Sequence, residues 1–309
     1  MRQAVLSLAI IALALPFFAA APAQAQSART WVSGTGDNAN PCSRTAPCRT
    51  FQGAMASTSP GGEINCLDAG DFGSVAIFMS LTISCEAGTA GILTTTSGAI
   101  AVDIAAATTD VVTLRGLDLD GQGPGGAGIR IFSARSVHVE KCTIRNFRSN
   151  SASAGIVTFA NANTVLLFVA DTLISDNSNG FEFSSTGGFK VASLKNVTIT
   201  GSSLNGVVLN NSNIYVNVTE SVISGNGGRA VTTGAGSTAN VDRSTIANNA
   251  VALDAFGSGA IIRISGSNIY NNTTGFFIAP GAFIQTDATS NTGSSNGGAM
   301  GPNAALTKN

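Results

Sequence analysis

The chain has 309 residues, with 16 Lys plus Arg against 17 Asp plus Glu, a formal charge of −1, and charged side chains make up only 11% of it. A sequence so near neutrality, with no basic cluster, lacks the electrostatic footprint of a nucleic-acid binder or of a protein that adheres to anionic membranes. Its 36 glycines, with Ser, Thr and Asn filling most polar positions, suit a solenoid, whose turns need Gly and Asn and whose strands take Thr, Val and Ile.

Residues 1–25 read as a signal peptide: Arg2, an apolar run from Ala4 to about Ala21, then Ala23-Gln24-Ala25 as a small-x-small cleavage site. Pro16 interrupts the run and argues against an uncleaved anchor. Removing Arg2 leaves 16 − 1 = 15 basic against 17 acidic groups, a charge of −2. The expected product is exported, periplasmic or extracellular, with no membrane insertion of the mature chain and no nucleic-acid partner. Residues 26–62 form an amino-terminal cap. Export permits disulfides, and four of the five cysteines fall early: Cys42 and Cys48 in NPCSRTAPC, Cys66 and Cys85 at the ends of EINC and LTISC. Three pairings are possible, of which Cys42 with Cys48 and Cys66 with Cys85 is preferred. Without a CxxC pair or a nearby histidine, a metal site is not expected. Between them a helix is predicted near residues 50–57, with Thr50 as N-cap, Phe51, Ala54 and Met55 on one face, and Pro60-Gly61-Gly62 as the stop. Such a helix would close the open end of a stacked core.

The segments Trp31-Val32-Ser33-Gly34-Thr35-Gly36-Asp37, Asn40-Pro41, Pro47, Arg49-Thr50-Phe51 and Gly62-Glu63-Ile64 resemble the opening of secreted proteins of the pectin-lyase-like superfamily. The resemblance implies an all-β fold, a right-handed parallel β-helix with a short capping α-helix at its amino terminus. It implies no single activity, because lyases, glycosidases and adhesive proteins share that fold.

A repeat carries the reading through residues 63–290. The stretch VNVTESVISGN from Val216 returns as ANVDRSTIANN from Ala239 and IRISGSNIYNN from Ile262, with earlier copies from Val112, Val137, Leu167 and Ala192. The last aliphatic of each copy, Leu119, Ile144, Ile174, Ile199, Ile223, Ile246 and Ile269, recurs at steps of 25, 30, 25, 24, 23 and 23 residues. Leu114, Val139, Val169, Leu194, Val218, Val241 and Ile264 stand five earlier, in period-two alternation that places both sets inside paired short strands joined by a bend. A second inward face is expected from Ile129 and Ile131, Ile156, Phe181 and Phe183, Val207 and Leu209, Val231, Val251 and Leu253, and Phe276 and Ile278. Asn177, Asn226, Asn249 and Asn272, three after their anchors, are expected to satisfy turn backbone and to tolerate left-handed conformations. Cys142 falls in a small inward column with Thr172, Ser221, Ser244 and Ser267 and is expected to be a buried thiol rather than a nucleophile. Phe283 and Ile284 make a last coil, and residues 291–309 are expected to be a flexible tail.

Chemistry is sought on the outward positions. Stacking sets Arg115 on Glu140, Asp120 on Arg145 and Glu220 on Arg243, pairs of opposite sign. The densest charged surface is Arg115, Asp118, Asp120, His138, Glu140, Lys141 and Arg145, the candidate ligand-binding cluster. In a polysaccharide lyase, carboxylates such as Asp118 and Asp120 would hold calcium and Arg145 or Lys141 would abstract the proton. The carboxylate, histidine and basic segments of polygalacturonases are absent, and His138 is expected on the outer surface. Aromatic platforms for sugar are sought at Trp31, Tyr215, placed before a strand, and Tyr270, placed outward. The expected function is an exported noncatalytic structural or binding surface, with polysaccharide or another surface component as partner and no cofactor. The alternative is a carbohydrate-active enzyme, a lyase before a hydrolase, with calcium as its cofactor.

Overall fold

The computed structural model describes residues 26–306 apart from 86–89, 162, 288, 294–295 and 298–300. The expected signal peptide lies outside the described residues. The chain winds through three parallel sheets in turn, each full circuit laying down one strand in each; the first sheet has 12 strands, three of them at its ends beyond the nine circuits, and the second and third have nine each. All the strand pairings are parallel to the strands of the coils before and after, for example Ser136–Glu140 between Val111–Arg115 and Val165–Ala170. This is a parallel β-helix, and right-handed crossover is the usual sense for such connections.

The repeat arithmetic gives the register. Leu119, Ile144, Ile174, Ile199, Ile223, Ile246 and Ile269 pair in sequence along the second sheet, and Leu114 through Ile264 do so along the first. All are buried, and each contributes roughly 1.5–3 kcal/mol by leaving water. The bend between the first two sheets is left-handed in every repeat copy: Gly116, Lys141, Asp171, Asn196, Glu220, Arg243 and Gly266 have φ of 44–69°. Glu220 and Lys141 therefore stand at bends and not on strands, which turns their side chains to solvent.

On the third sheet the inward column runs Ile129, Ile156, Phe181, Val207, Val231, Leu253, Phe276. Val251 does not belong to it: it pairs with Arg229 and is half-buried, whereas Ile278 pairs with Ala255 and packs, partly buried, against the core. The turn before the Val251 strand changes length, so counting from the anchor fell short by one alternation: the pair is Leu253 and Ala255. Tyr215 lies within the strand Ile214–Thr219, exposed, rather than before it.

Two polar columns tie the coils together. Ser221 Oγ accepts from the Val197 N–H at 3.0 Å, Ser244 Oγ from Ser221 at 3.1 Å and Ser267 Oγ from Ser244 at 3.0 Å. Asn226 donates through Nδ2 to Asn249 Oδ1 at 2.9 Å, and Asn249 to Asn272 Oδ1 at 3.0 Å. These asparagines are not themselves left-handed; the residue before each is, Asp176, Gly225, Asn248 and Asn271. The buried amide fills the turn and its neighbour turns the chain.

At the amino end the helix Phe51–Ala56 buries Phe51 and Ala54, with Thr50 Oγ1 accepting from the Gly53 N–H at 3.0 Å. The sheet begins earlier than residue 63, since Ser27–Val32 pairs with Thr58–Cys66 within the first sheet. Cys42 is bonded to Cys48 and Cys66 to Cys85, with Cα atoms 4.6 and 4.9 Å apart. The second bridge joins adjacent coils, because Asn65 pairs with Ser84 just before it. At the other end, described residues of the segment expected as a tail continue the pattern. Asn296 Oδ1 accepts from Asn272 Nδ2 at 2.9 Å, Asn303 Oδ1 from the Ile284 N–H at 2.8 Å, and Ala304–Ala305 pairs with Phe283–Thr286. Side-chain amides hold this end where apolar columns are missing.

Candidate functional site

The charged cluster of the first full coils wraps the corner between the first and second sheets. Arg115, His138 and Glu140 lie on first-sheet strands, Lys141 on the left-handed bend, and Asp118, Asp120 and Arg145 on second-sheet strands. Arg115 pairs in register with Glu140 and Asp120 with Arg145. Arg145 does more than register alone foresaw: one guanidinium nitrogen contacts Asp118 Oδ1 and another lies 3.1 Å from Asp120 Oδ2. Asp120 is buried and also accepts from the Gln122 N–H at 2.9 Å and from Asn146 Nδ2 at 3.0 Å. Burial pushes its carboxyl upward, but the Gln122 N–H, Asn146 and Arg145 outweigh it and hold the group below the usual Asp value. Burial works against the Arg145 cation, yet its two carboxylates raise it further above the usual Arg value. The His138 ring stacks on Phe168, centroids 4.8 Å apart, between Thr113 and Phe168 in the register. Cys142 lies beneath this corner in the core, where burial pushes its thiol up to about 11. Within the cluster, Asp118, Asp120 and Arg145 form an ion triad, and His138 is stacked on Phe168.

A second surface was not found from the sequence. On the outer face of the third sheet, Asp103, Arg130, Val157 and Glu182 occupy one register row on four successive coils. Arg130, Val157 and Glu182 line a groove of about 370 Å³ that Phe159, Asn150 and Ser153 also line. Arg130 grips Asp103 with both arms of its fork, Nε to Oδ1 at 2.9 Å and Nη2 to Oδ2 at 2.6 Å, a bidentate geometry that fixes the guanidinium plane. The hydrogen bond to Asp103 leads in raising the Arg130 pKa. Glu182 accepts from Asn210 Nδ2 at 3.0 Å, and burial raises its carboxyl above the usual Glu value. Phe159 is 48% exposed and is backed by Phe132 at 5.3 Å between ring centroids. The turn after Phe159 is pinned by Lys190, whose Nζ donates to Asn161 Oδ1 at 2.9 Å and to the Asn163 carbonyl. The sequence signal for this platform was phenylalanine, which outnumbers Trp and Tyr together by 16 to 3.

Fold and surfaces together define a parallel β-helix with its charged clusters on outer faces. The chain belongs to the family whose model is described as NosD, periplasmic copper-binding protein, which matches residues 106–292. Among solved structures it is similar to pectate lyase Pel9A, at 14% identity and a TM-score of 0.66, covering 92% of this chain and 79% of that one. It is also similar to ORF18 of Geobacillus virus E2, at 13% identity and a TM-score of 0.54, covering 80% of this chain and 54% of that one. At such identities the likeness shows the fold. No curated protein matches the chain.

Proposed function

We propose that the protein is an exported, noncatalytic β-helix that presents a binding surface in the periplasm, with an envelope polysaccharide as its partner. The observation that carries this reading is the clamp on Arg145 by Asp118 and Asp120. A lyase needs carboxylates free for calcium and a basic group free to take a proton; the clamp engages both carboxylates and Arg145, so that Lys141, exposed on the bend, is left without an unclamped aspartate pair for calcium. The family description supports the periplasm as the compartment. No helix among the described residues is long and apolar enough to cross a membrane.

The copper named in the family description does not fit this chain's own donors. Copper sites draw on imidazole, thiolate and thioether groups converging on one point. The single histidine, His138, is stacked on Phe168 at the surface, Cys142 is buried in the core, and the other four cysteines are paired in disulfides. Met55 and Met79 pack against the core. Among the described residues no three His, Cys, Asp or Glu side chains are grouped to hold a metal.

The test is a panel of uronic-acid polymers with calcium, read by the ultraviolet absorbance of unsaturated product, using protein beginning at Gln26. Silence across the panel is expected, with no calcium-dependent change in melting temperature. Product that disappears in Asp118→Ala and Arg145→Ala would overturn the noncatalytic reading.

A further inference from the structure

The groove on the third sheet has three chemical features that bear on what it holds. Its lining charges, Arg130 and Glu182, cancel, and both arms of the Arg130 fork are already committed to Asp103 on the neighbouring coil. Its floor at Val157 and its wall at Phe159 are apolar, and Phe159 keeps about half its surface in solvent. Around these stand polar groups: Asn150, Ser184 and the Glu182 carboxyl. An aromatic face flanked by such groups matches a ligand with apolar C–H faces and hydroxyl edges. A groove whose one lining cation is already paired offers a polyanion no counter-charge and sets the Glu182 carboxylate against it.

We propose that this groove binds an uncharged, hydroxyl-rich chain, a neutral oligosaccharide, stacked on Phe159 over Val157 with its hydroxyls met by Glu182. The assignment rests on the binding-surface reading above and gives it a place and a ligand class. The face is distinct from the ion triad, which lies around the corner of the first two sheets. Lys190 pre-sets the wall: its bonds to Asn161 and the Asn163 carbonyl fix the turn that follows Phe159, so little ordering remains to oppose binding.

Calorimetric titration of the protein beginning at Gln26 with cellohexaose, maltohexaose and hexagalacturonate tests this. At least one neutral hexamer is expected to bind, with hexagalacturonate at least about tenfold weaker through like-charge repulsion. Phe159→Ala should weaken the neutral ligand about fivefold through loss of stacking, and Val157→Arg should abolish binding by filling the groove. Thermal melts of both variants should match the parent, because both side chains face outward. Tighter binding of hexagalacturonate, no binding of either neutral hexamer, or neutral binding untouched by both variants would overturn the groove assignment. The noncatalytic reading stands or falls separately, on unsaturated product.

Discussion

Replacing Asn249 with alanine should be among the most damaging single changes in the molecule. Its side chain is 2% exposed and makes five hydrogen bonds. Oδ1 accepts from the Asn226 backbone N–H at 3.0 Å and from Asn226 Nδ2 at 2.9 Å. Nδ2 donates to the Ala247 carbonyl at 2.9 Å, the Ile223 carbonyl at 3.2 Å and Asn272 Oδ1 at 3.0 Å. Alanine leaves both Asn226 donors buried without an acceptor, and each such orphan costs about 1–3 kcal/mol. The expected loss is about 4 kcal/mol, which for a chain of this size lowers the melting temperature by about 10 °C. Circular dichroism melts at neutral pH measure it, with Asn248→Gly as the control. Asn248 is exposed with φ of 59°, a conformation that glycine adopts freely, so the control should change stability by no more than about 0.5 kcal/mol. A melting temperature for Asn249→Ala within about 3 °C of the parent would refute the claim that the amide column carries the turns.

Three further outcomes are expected. Glu182 has a folded pKa above its ordinary 4.5 because it is buried, so the native state holds its proton more tightly than the unfolded chain and stability falls as pH rises above that value. Glu182→Gln should therefore gain stability relative to the parent between about pH 4 and pH 7, seen in melts across that range; a constant difference would contradict the assignment. Breaking the Cys66–Cys85 bridge, whose ends are 19 residues apart, as Cys66→Ala with Cys85→Ala, should cost about 3 kcal/mol, measured by urea unfolding. Cys142, with its thiol pushed up to about 11 in the core, should react with a thiol reagent only as fast as the native state unfolds; rapid labelling in native buffer would refute its burial.

The core was legible in the sequence because inward positions obey one rule. Ile223, Ile246 and Ile269 must each be aliphatic, and they repeat at the length of the coil, so periodicity alone sets them in register. The same arithmetic placed His138 between Thr113 and Phe168, and Asp120 beside Arg145. It did not show Asp118 reaching Arg145, because that contact is diagonal and depends on where a flexible side chain points. The third-sheet groove was illegible for a different reason. Asp103, Arg130, Val157 and Glu182 share nothing as residue types, and they follow turns of unequal length, so only the folded register makes them neighbours. Val251 was misplaced by the same unequal turns. Outer faces are free of the packing rule that makes the core periodic, and that freedom is what lets one of them carry specificity.

The equal step of the last coils bears on how such a molecule changes its size. Ser221 to Ser244 to Ser267, and Asn226 to Asn249 to Asn272, each advance by 23 residues and meet the next member through the same bond. Excising one such unit would bring Asn226 onto Asn272 and Ser221 onto Ser267, rejoining both columns with like partners and an unchanged cross-section. The axial reach of the protein is therefore a digital quantity, adjustable by whole coils of ~4.8 Å, while the breadth of its faces stays constant.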